Sequence, residues 1–445
     1  MLSTVVCKLL SANLTPTVIG NAVPSSVKYV IADRVSNAEM TSWLFDSAVK
    51  IVDCKIADVL QASSLPSDVE ETSEVLRLGD VSLMPGLVDA HCHMHCSATK
   101  DAQALALAEK DDIQRLTMRA VSAMRKAVLA GTTTVRDIGS RNEVAFAIKQ
   151  AIKDGAIPGP RLLVAGTPIT ITAGHCWFFG AQADTADDVA KAVRNQVRQG
   201  ADAIKIMSTG GMFTPTANPR LPQYPADTLA VAVREAARSG ITVAAHCLSA
   251  DGVKNCVEAN VHNLIHARWL SQDPSKGLEF DVETARRMAD QGQWVDPTIG
   301  HGMLGHEATD RGEAPPRAIH WSVAANNVTD EAHAETLNQM HDLGVRFTNG
   351  LDMGMPHGTH DRSAANAWAA VEKLGWDTWS ALRMATIDTA EALGIDDEVG
   401  SIKQGKVADL AAFDGDPAGN IRDMDRARTV IQNGNIIKLN NVALV

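Results

Sequence analysis

A His-x-His pair closes an apolar run over residues 84–93, ending in His91-Cys92-His93. Successive side chains of a β-strand alternate between faces, so His91 and His93 point the same way and can both reach one metal ion. Such a pair alone is usually incidental and needs further ligands to define a site. Further candidates follow strand-like runs downstream: Lys205, His246, His266 and Asp352. The six side chains together predict a two-metal hydrolytic centre.

Lys205 is the least ligand-like of the six, because apolar residues flank it in Ala203–Met207. An unpaired ammonium group is costly to bury. One interpretation is a structural ion pair within the core. The other is that the neutral amine takes up carbon dioxide and becomes a carbamate, whose anionic oxygens can bridge two divalent cations.

The other downstream candidates also have ordinary alternatives. His246 and His266 could be hydrogen-bonded core histidines, and Asp352 could cap a helix. Their shared position at the ends of predicted strands favours metal ligation instead. In that interpretation Asp352 is both a ligand and the acceptor of a proton from a bridging water.

The elements that position these residues follow from the alternation of β-branched runs with amphipathic helical stretches over residues 85–395. Eight strands are predicted, the number that closes a (β/α)8 TIM barrel: 86–92, 133–138, 161–166, 203–207, 242–246, 263–266, 294–299 and 346–351. Helices are predicted at 113–129, 185–199 and 225–239, each followed by a glycine stop. All six candidates lie at the C-terminal ends of strands or within strand four, where barrels of this kind carry their functional groups.

The flanks, residues 1–84 and 396–445, are rich in short strand signals, and neither is large enough for its own core. We expect them to join into one small β-sandwich domain beside the α/β barrel of residues 85–395. Residues 301–335 lack periodicity and predict a long loop or short helices over the active face.

Composition limits the partners of the chain. It has 445 residues and a net charge of -12, so nucleic acid and anionic membranes would repel it at long range. Seven scattered cysteines do not form a disulfide framework, which favours a reducing cytoplasm. No stretch approaches the roughly 20 apolar residues that span a bilayer. We expect a cytoplasmic homo-oligomer with a small-molecule substrate and no nucleic-acid or membrane partner.

Five segments, residues 84–93, 131–139, 204–211, 244–246 and 400–410, resemble the amidohydrolase superfamily of metal-dependent (β/α)8-barrel hydrolases. The similarity is greatest to its prolidase-like and imidazolonepropionase-related group. The resemblance implies one metal on His91, His93 and Asp352. It implies a second on His246 and His266, with N6-carboxylated Lys205 bridging the two. Zinc is the expected ion, and a metal-bridging hydroxide is the expected nucleophile, with Asp352 delivering the proton to the leaving nitrogen.

Four residues are candidates for catalysis or substrate binding near this centre. His175 follows the third predicted strand and could hydrogen-bond the substrate carbonyl. Trp177 opens an aromatic cluster that forms either a pocket wall or ordinary core. Tyr224 resembles a substrate-side tyrosine of the prolidase-like enzymes, and His357 lies in the loop after Asp352. No arginine stands out as a partner for a substrate carboxylate.

These features predict a binuclear metal-dependent amidohydrolase that cleaves an amide-type C–N bond. Its substrate would be an N-acyl amino acid, an Xaa-Pro-like dipeptide or a related amide. The alternative substrates are non-peptide amides, ureas or carbamates, including xenobiotics such as phenylureas, which would suit the aromatic cluster. A barrel kept only as a non-catalytic scaffold is the rival from another class, although such a scaffold usually loses ligands.

Overall fold

The computed structural model describes residues 27–99, 110–313 and 328–445. Predictions for residues 1–26, and for residues 314–327 of the expected overhanging stretch, lie outside the described residues. The described strands form three sheets, of eight, seven and three strands.

The described strands are, in chain order, β1 (Val27–Ser36), β2 (Trp43–Val52), β3 (Lys55–Gln61), β4 (Glu74–Pro85), β5 (Leu87–Cys92), β6 (Thr132–Asp137), β7 (Arg161–Val164), β8 (Ile169–Thr170), β9 (Ala181–Gln182), β10 (Ala203–Met207), β11 (Thr242–Ser249), β12 (Asn263–Leu270), β13 (Trp294–Asp296), β14 (Arg346–Phe347), β15 (Leu410–Asp414), β16 (Thr429–Gln432), β17 (Asn435–Leu439) and β18 (Val442–Ala443).

The described α-helices are α1 (Val69–Thr72), α2 (Ile113–Leu129), α3 (Asn142–Lys153), α4 (Ala186–Gln199), α5 (Ala226–Ala237), α6 (Ala250–Glu258), α7 (Val282–Asp290), α8 (Ile299–Asp310), α9 (Asp330–Asp342), α10 (Ala365–Glu372), α11 (Thr378–Arg383) and α12 (Thr389–Ala392). Short helical turns also occur at Trp177–Phe179 and Ile421–Met424.

The middle of the chain forms two parallel sheets, ordered β5-β6-β7 and β14-β13-β12-β11-β10-β8-β9. Each of the eight predicted strands overlaps an observed one. Backbone hydrogen bonds connect the two sheets at both ends, from Ala90 N–H to Asn349 O (2.8 Å) and from Asp202 N–H to Val164 O (2.8 Å). The parallel α/β arrangement is confirmed. A continuous strand ladder closed into a barrel is not seen among the described residues, and closure stays a prediction.

Helices alternate with these strands because each amphipathic segment begins at a polar N-cap or ends at a glycine. The Asp112 side chain accepts a hydrogen bond from Arg115 N–H and begins α2, which has the predicted bounds. Thr185 caps α4 in the same way. Gly200 ends α4 with φ 91°, a left-handed conformation that glycine adopts without strain. The buried faces of these helices pack on the parallel strands in the largest hydrophobic cluster of the described residues.

Strands from both flanks share the third sheet, ordered β18-β17-β16-β15-β4-β1-β2-β3. β4 from the N-terminal flank pairs antiparallel with β15 from the C-terminal flank, with Leu83 opposite Ala412. Only Gly86 separates β4 from β5, so this sheet runs directly into the strand that carries His91. The sandwich packing and the domain boundaries at residues 84 and 396 stay predictions.

The described helices bear on two further predictions from the sequence. In the described ranges, no helix is both long enough and apolar enough to cross a membrane. α8 and α9 occupy the described parts of the stretch after β13, where a long loop or short helices were predicted.

Candidate metal centre

Three predicted ligands converge at the C-terminal end of β5. His91 lies in β5 and His93 directly after it, and both rings are buried. The Nε2 atoms of His91 and His93 lie 3.2 and 3.1 Å from Asp352 Oδ1. One ligand atom of each residue lies within 4.8 Å of the other two, which suits a shared cation. The structure therefore brings together the predicted set of His91, His93 and Asp352.

The carboxylate of Asp352 faces this group without an ordinary partner. Its Oδ1 atom is buried and has no hydrogen bond among the described residues, although two imidazole nitrogens lie close to it. Burial acts to raise the pKa of Asp352, but the neighbouring His91 and His93 lower that pKa well below its usual value. An ionised, buried and unsatisfied oxygen beside two imidazoles fits a metal cation.

Each of the four predicted histidine ligands is held through one ring nitrogen. The contacts are His91 Nδ1 to Asp296 Oδ2 (3.0 Å), His93 Nδ1 to Gly139 O (3.0 Å), His246 Nε2 to Gly210 O (3.1 Å) and His266 Nδ1 to Thr298 Oγ1 (2.8 Å). A ring nitrogen that donates to a carboxylate or carbonyl carries the proton, so the opposite nitrogen keeps its lone pair. For His266 the same assignment requires that Nδ1 donates to the Thr298 hydroxyl oxygen. The nitrogens left to ligate are Nε2 of His91, His93 and His266 and Nδ1 of His246.

His246 and His266 extend the cluster from the neighbouring strands β11 and β12. Their ring centroids are 4.9 Å apart, and the His266 ring lies 5.6 Å from that of His91. The parallel register places His246 opposite Ile265, one residue before His266. The two predicted metal groups are therefore adjacent.

Lys205 lies in the middle of β10, where it pairs with Ala244 of β11 and is only 2% exposed. Its ammonium group makes no hydrogen bond or ion pair with any described residue, so the alternative of a structural ion pair finds no partner. Burial lowers the pKa of Lys205 to about 8. A larger share of the amine is neutral near pH 7 than in an exposed lysine, and the neutral amine is the form that takes up carbon dioxide.

Asp296 supports the first metal group and was not predicted as a site residue. It ends β13, is fully buried, and holds His91 Nδ1. Burial acts to raise the pKa of Asp296 well above its usual value, and a cation bound at His91 would oppose this effect and favour the ionised carboxylate. A carboxylate behind a ligating histidine orients the ring and increases its basicity.

Replacing Asp296 with asparagine should weaken metal binding by roughly 10- to 100-fold, because a neutral amide no longer favours the His91 tautomer with a free Nε2. Metal content after dialysis against graded chelator measures this effect. The exposed Asp342→Asn variant is the matched control. Unchanged metal retention in Asp296→Asn would show that His91 does not depend on this carboxylate.

Two further carboxylates lie beneath the cluster. Asp89 accepts a hydrogen bond from His91 N–H (2.9 Å), and Asp137 accepts one from Met94 N–H (2.7 Å). Burial raises the pKa of Asp89 to about 7. Asp89 and Asp137 are each the one acidic residue of a fully buried strand, β5 and β6, and this pattern was the sequence signal available.

Three glycines leave space for side chains of the site. An added Cβ would lie 2.4 Å from the His93 ring at Gly139, 2.3 Å from the His175 ring at Gly211, and 2.1 Å from the Asp296 carboxylate at Gly350. Such distances are too short for any carbon contact. Gly139 and Gly211 end two of the segments on which the family resemblance depends, residues 131–139 and 204–211. The close approach of a histidine ring explains why glycine is needed at each of these two positions.

Replacing Gly211 with alanine should displace the His175 ring and lower kcat by roughly tenfold or more, while the metal content stays unchanged. The measurement pairs steady-state kinetics with metal analysis. Gly302→Ala in α8 is the control, because an added Cβ there meets open space. A Gly211→Ala enzyme with normal kcat would contradict a role of His175 at the reacting group.

His175 lies against the candidate metal cluster, with its ring 4.4 Å from that of His246. Its Nδ1 lies 3.1 Å from Thr214 Oγ1, and its Nε2 lies 3.5 Å from Cys176 Sγ. Burial, and then the charge of Lys205, lower the pKa of His175 to about 3. The imidazole is therefore neutral near pH 7. Its action on substrate stays a prediction.

The predicted aromatic cluster lies beside the same centre. The ring of Phe179 stacks on His93 with centroids 6.5 Å apart, and it packs with Cys176 and Met207. Phe178 is half-buried, and Trp177 is 42% exposed. The cluster thus reaches from the metal ligands to the surface, and contact between Trp177 and substrate stays a prediction.

Tyr224 and His357 occupy different surroundings. Tyr224 is 2% exposed, and its hydroxyl donates to Ala183 O (2.7 Å), which places the side chain within the core. His357 has a left-handed φ of 67° in the loop after Asp352 and is half-buried. Substrate binding by either residue stays a prediction.

Known proteins of similar sequence and fold align with nearly the whole chain. The ochratoxinase of Aspergillus niger is 26% identical over 419 residues, which cover 87% of this chain and 81% of that protein. The crystal structure of a Xaa-Pro dipeptidase with bound methionine matches with a TM-score of 0.81 and 26% identity, covering 93% of this chain and 100% of the other. Phenylurea hydrolase B has the same fold, with a TM-score of 0.74 and 19% identity over 93% of this chain and 97% of its own.

Residues 82–437 match the sequence profile of the Amidohydrolase family. This match spans the strands that carry every predicted ligand, from β5 to the loop after β14. The structural relatives of this family imply a TIM barrel with a β-sandwich, in agreement with the predicted architecture. Placement within the prolidase-like group stays a prediction. The chain belongs to the amidohydrolase family.

Proposed function

We propose that this chain is a binuclear metal-dependent amidohydrolase that cleaves an amide-type C–N bond. The proposal rests on a feature that the four predicted histidine ligands have in common. Four histidines are each held through one ring nitrogen, while the other ring nitrogen stays available. A non-catalytic scaffold would have no need to keep this arrangement.

The donor set fits two divalent cations. Two imidazoles, of His91 and His93, flank the buried Oδ1 atom of Asp352, and the rings of His266 and His246 adjoin them. His91, His93 and Asp352 would hold one ion, and His246 and His266 the other. Carboxylated Lys205 would connect them and supply negative charge between like cations. When bound, the ions lower the pKa of a water and polarise the substrate carbonyl.

The protein groups around this centre have separate tasks. Asp352 is ionised at neutral pH, so it can accept a proton from the attacking water and pass it to the leaving nitrogen. His175 is neutral and can donate a hydrogen bond to the carbonyl oxygen from Nε2 when the Thr214 hydroxyl donates to Nδ1. Removal of either group should slow the chemical step more than it weakens substrate binding.

The substrate class that we propose is an N-acyl amino acid, an Xaa-Pro-like dipeptide or a related amide. Support comes from two relatives at 26% identity, an ochratoxinase and a Xaa-Pro dipeptidase. Both align over at least 80% of their own length, and the aligned region of this chain contains the candidate centre.

A second substrate class has its own supporting observation. The apolar cluster beside His93 includes half-buried Phe178, Phe213 and Met355, which could receive the aryl group of a neutral amide, urea or carbamate. Such substrates carry no charge that requires a partner.

A screen of metal-loaded protein separates these possibilities. N-acyl amino acids and Xaa-Pro dipeptides should be hydrolysed with higher kcat/KM than aryl amides and phenylureas. The reverse order would favour the second class. Absence of turnover in every class by fully metal-loaded protein would refute the hydrolase proposal.

A further inference from the structure

Arg268 is a cationic side chain close to the metal cluster that the proposed function does not yet use. It lies in β12, two residues beyond His266, near the C-terminal end where this family places its functional groups. Two residues of chain span at most about 7 Å, so Arg268 begins within side-chain reach of the His266 ligand position.

The backbone around Arg268 is unusual for a strand. His266, Ala267 and Trp269 all have left-handed φ angles, of 70°, 44° and 56°. Non-glycine residues rarely adopt this region, and they do so where the surrounding structure holds them. Three of the four residues from His266 to Trp269 therefore depart from regular strand geometry.

Arg268 has no protein partner in the described part of the chain. Its Nε is buried without a hydrogen bond, and the guanidinium makes no ion pair. Two fully buried arginines make side-chain hydrogen bonds within the protein. Arg136 donates to Ala90 O (2.8 Å) and Asn263 Oδ1 (2.5 Å), and Arg220 donates to Ser271 O (2.6 Å). The fold therefore leaves open the five donors of one guanidinium beside the candidate centre.

The charged and titratable groups around Arg268 leave its guanidinium available to bind an anion. His266 and His333 are the histidines beside it, and neither supplies a negative charge that could pair with the guanidinium. Asp330 is the acidic residue that acts on Arg268, but its carboxylate contacts His306 Nδ1 at 3.1 Å. No carboxylate of the described residues neutralises the guanidinium by contact.

We propose that Arg268 binds a carboxylate of the substrate and so determines specificity for amides that carry one, such as N-acyl amino acids. This inference rests on the proposed amide hydrolysis at the adjacent centre. A planar guanidinium matches the two oxygens of a carboxylate, and the α-carboxylate of an N-acyl amino acid is one carbon away from the scissile nitrogen. A neutral urea or carbamate would bury the guanidinium without a partner and bind less well.

A matched pair of compounds tests this assignment. N-acetyl-L-phenylalanine and N-acetyl-L-phenylalaninamide contain the same acetyl amide bond and differ only in the carboxylate. Wild-type protein should prefer the acid by roughly 10- to 100-fold in kcat/KM. Arg268→Gln should remove most of this preference, mainly through a higher KM for the acid, should not raise the KM for the neutral compound, and should retain the metal. Arg268→Lys should restore part of the preference.

Two controls separate this role from a structural one. Arg286→Gln, at an exposed arginine, should leave the preference unchanged. The Tm of Arg268→Gln should not fall, because no protein contact is lost. If Arg268→Gln reduced turnover of both compounds equally, or if wild-type protein did not prefer the acid, the assignment would be overturned.

Calorimetry with the same two compounds separates the failure of this inference from the failure of the proposed function. If neither compound is hydrolysed, the hydrolase proposal loses support for this substrate class. Tighter binding of the acid that Arg268→Gln abolishes would still support the carboxylate site. Equal binding of both compounds to wild-type protein would refute it.

Discussion

Replacing Lys205 with alanine should lower kcat/KM by about a thousandfold or more for whichever amide the enzyme hydrolyses. In the proposed centre the carbamate would provide the anionic bridge between two cations, and its loss would remove several kcal/mol of charge stabilisation, where each 1.36 kcal/mol is about tenfold in rate. The Tm should fall much less than the activity, because Lys205 makes no hydrogen bond or ion pair in the described structure. Steady-state kinetics and Tm, measured on the same preparation, check both statements.

Chemical rescue makes the Lys205 prediction specific. Short carboxylic acids should restore part of the activity of Lys205→Ala, because they can enter the vacated space and supply anionic oxygens. Lys191→Ala, at a lysine that is 75% exposed, should behave as wild type with or without added acid. Normal activity of the Lys205→Ala variant would contradict the proposed bridging carbamate.

The second large effect is expected at Asp352. Replacement with asparagine keeps the size of the side chain but removes its negative charge and its ability to accept a proton. General acid–base groups of this kind contribute about 10²- to 10⁴-fold, so kcat should fall within that range. KM should change much less, since the loss is expressed in the chemical step.

The Asp352 variant differs from the Lys205 variant in two measurable ways. Carboxylic acids should not rescue Asp352→Asn, because His91 and His93 lie 3.2 and 3.1 Å from Asp352 Oδ1 and the asparagine would still occupy that space. Its metal content should fall only in part, because both imidazoles remain. Rescue of Asp352→Asn by acids, or a kcat equal to that of wild type, would contradict the role in proton transfer.

The order of strands and helices could be predicted because their signals are local. β10 and α2 have the predicted bounds, since β10 is a short run whose residues are apolar except for Lys205 and α2 begins at the Asp112 cap. The eighth strand was predicted over residues 346–351 but ends at Phe347. There Asn349 donates from its side chain to Val88 O (2.9 Å) and from its backbone to Thr389 Oγ1 (2.7 Å), so polar side chains replace the strand ladder.

Ligand candidates could be found in the sequence because each follows a strand-like run, and the structure brings His91, His93 and Asp352 together. Asp296 was missed because its role depends on contact with His91, which is 205 residues away in the chain. Arg268 was missed for a similar reason. Whether a guanidinium has a partner depends on its three-dimensional surroundings, and no local sequence pattern predicts this.

Metal analysis combined with intact mass tests the central claim most directly. Protein purified with divalent metal present should carry about two ions per chain and a labile mass increment of one carbon dioxide, lost in Lys205→Ala. Chelator treatment should remove the ions and the activity together. A catalytically active chain that holds no metal, or one whose Lys205 carries no carbon dioxide while two ions are bound, would contradict a carbamate-bridged binuclear centre.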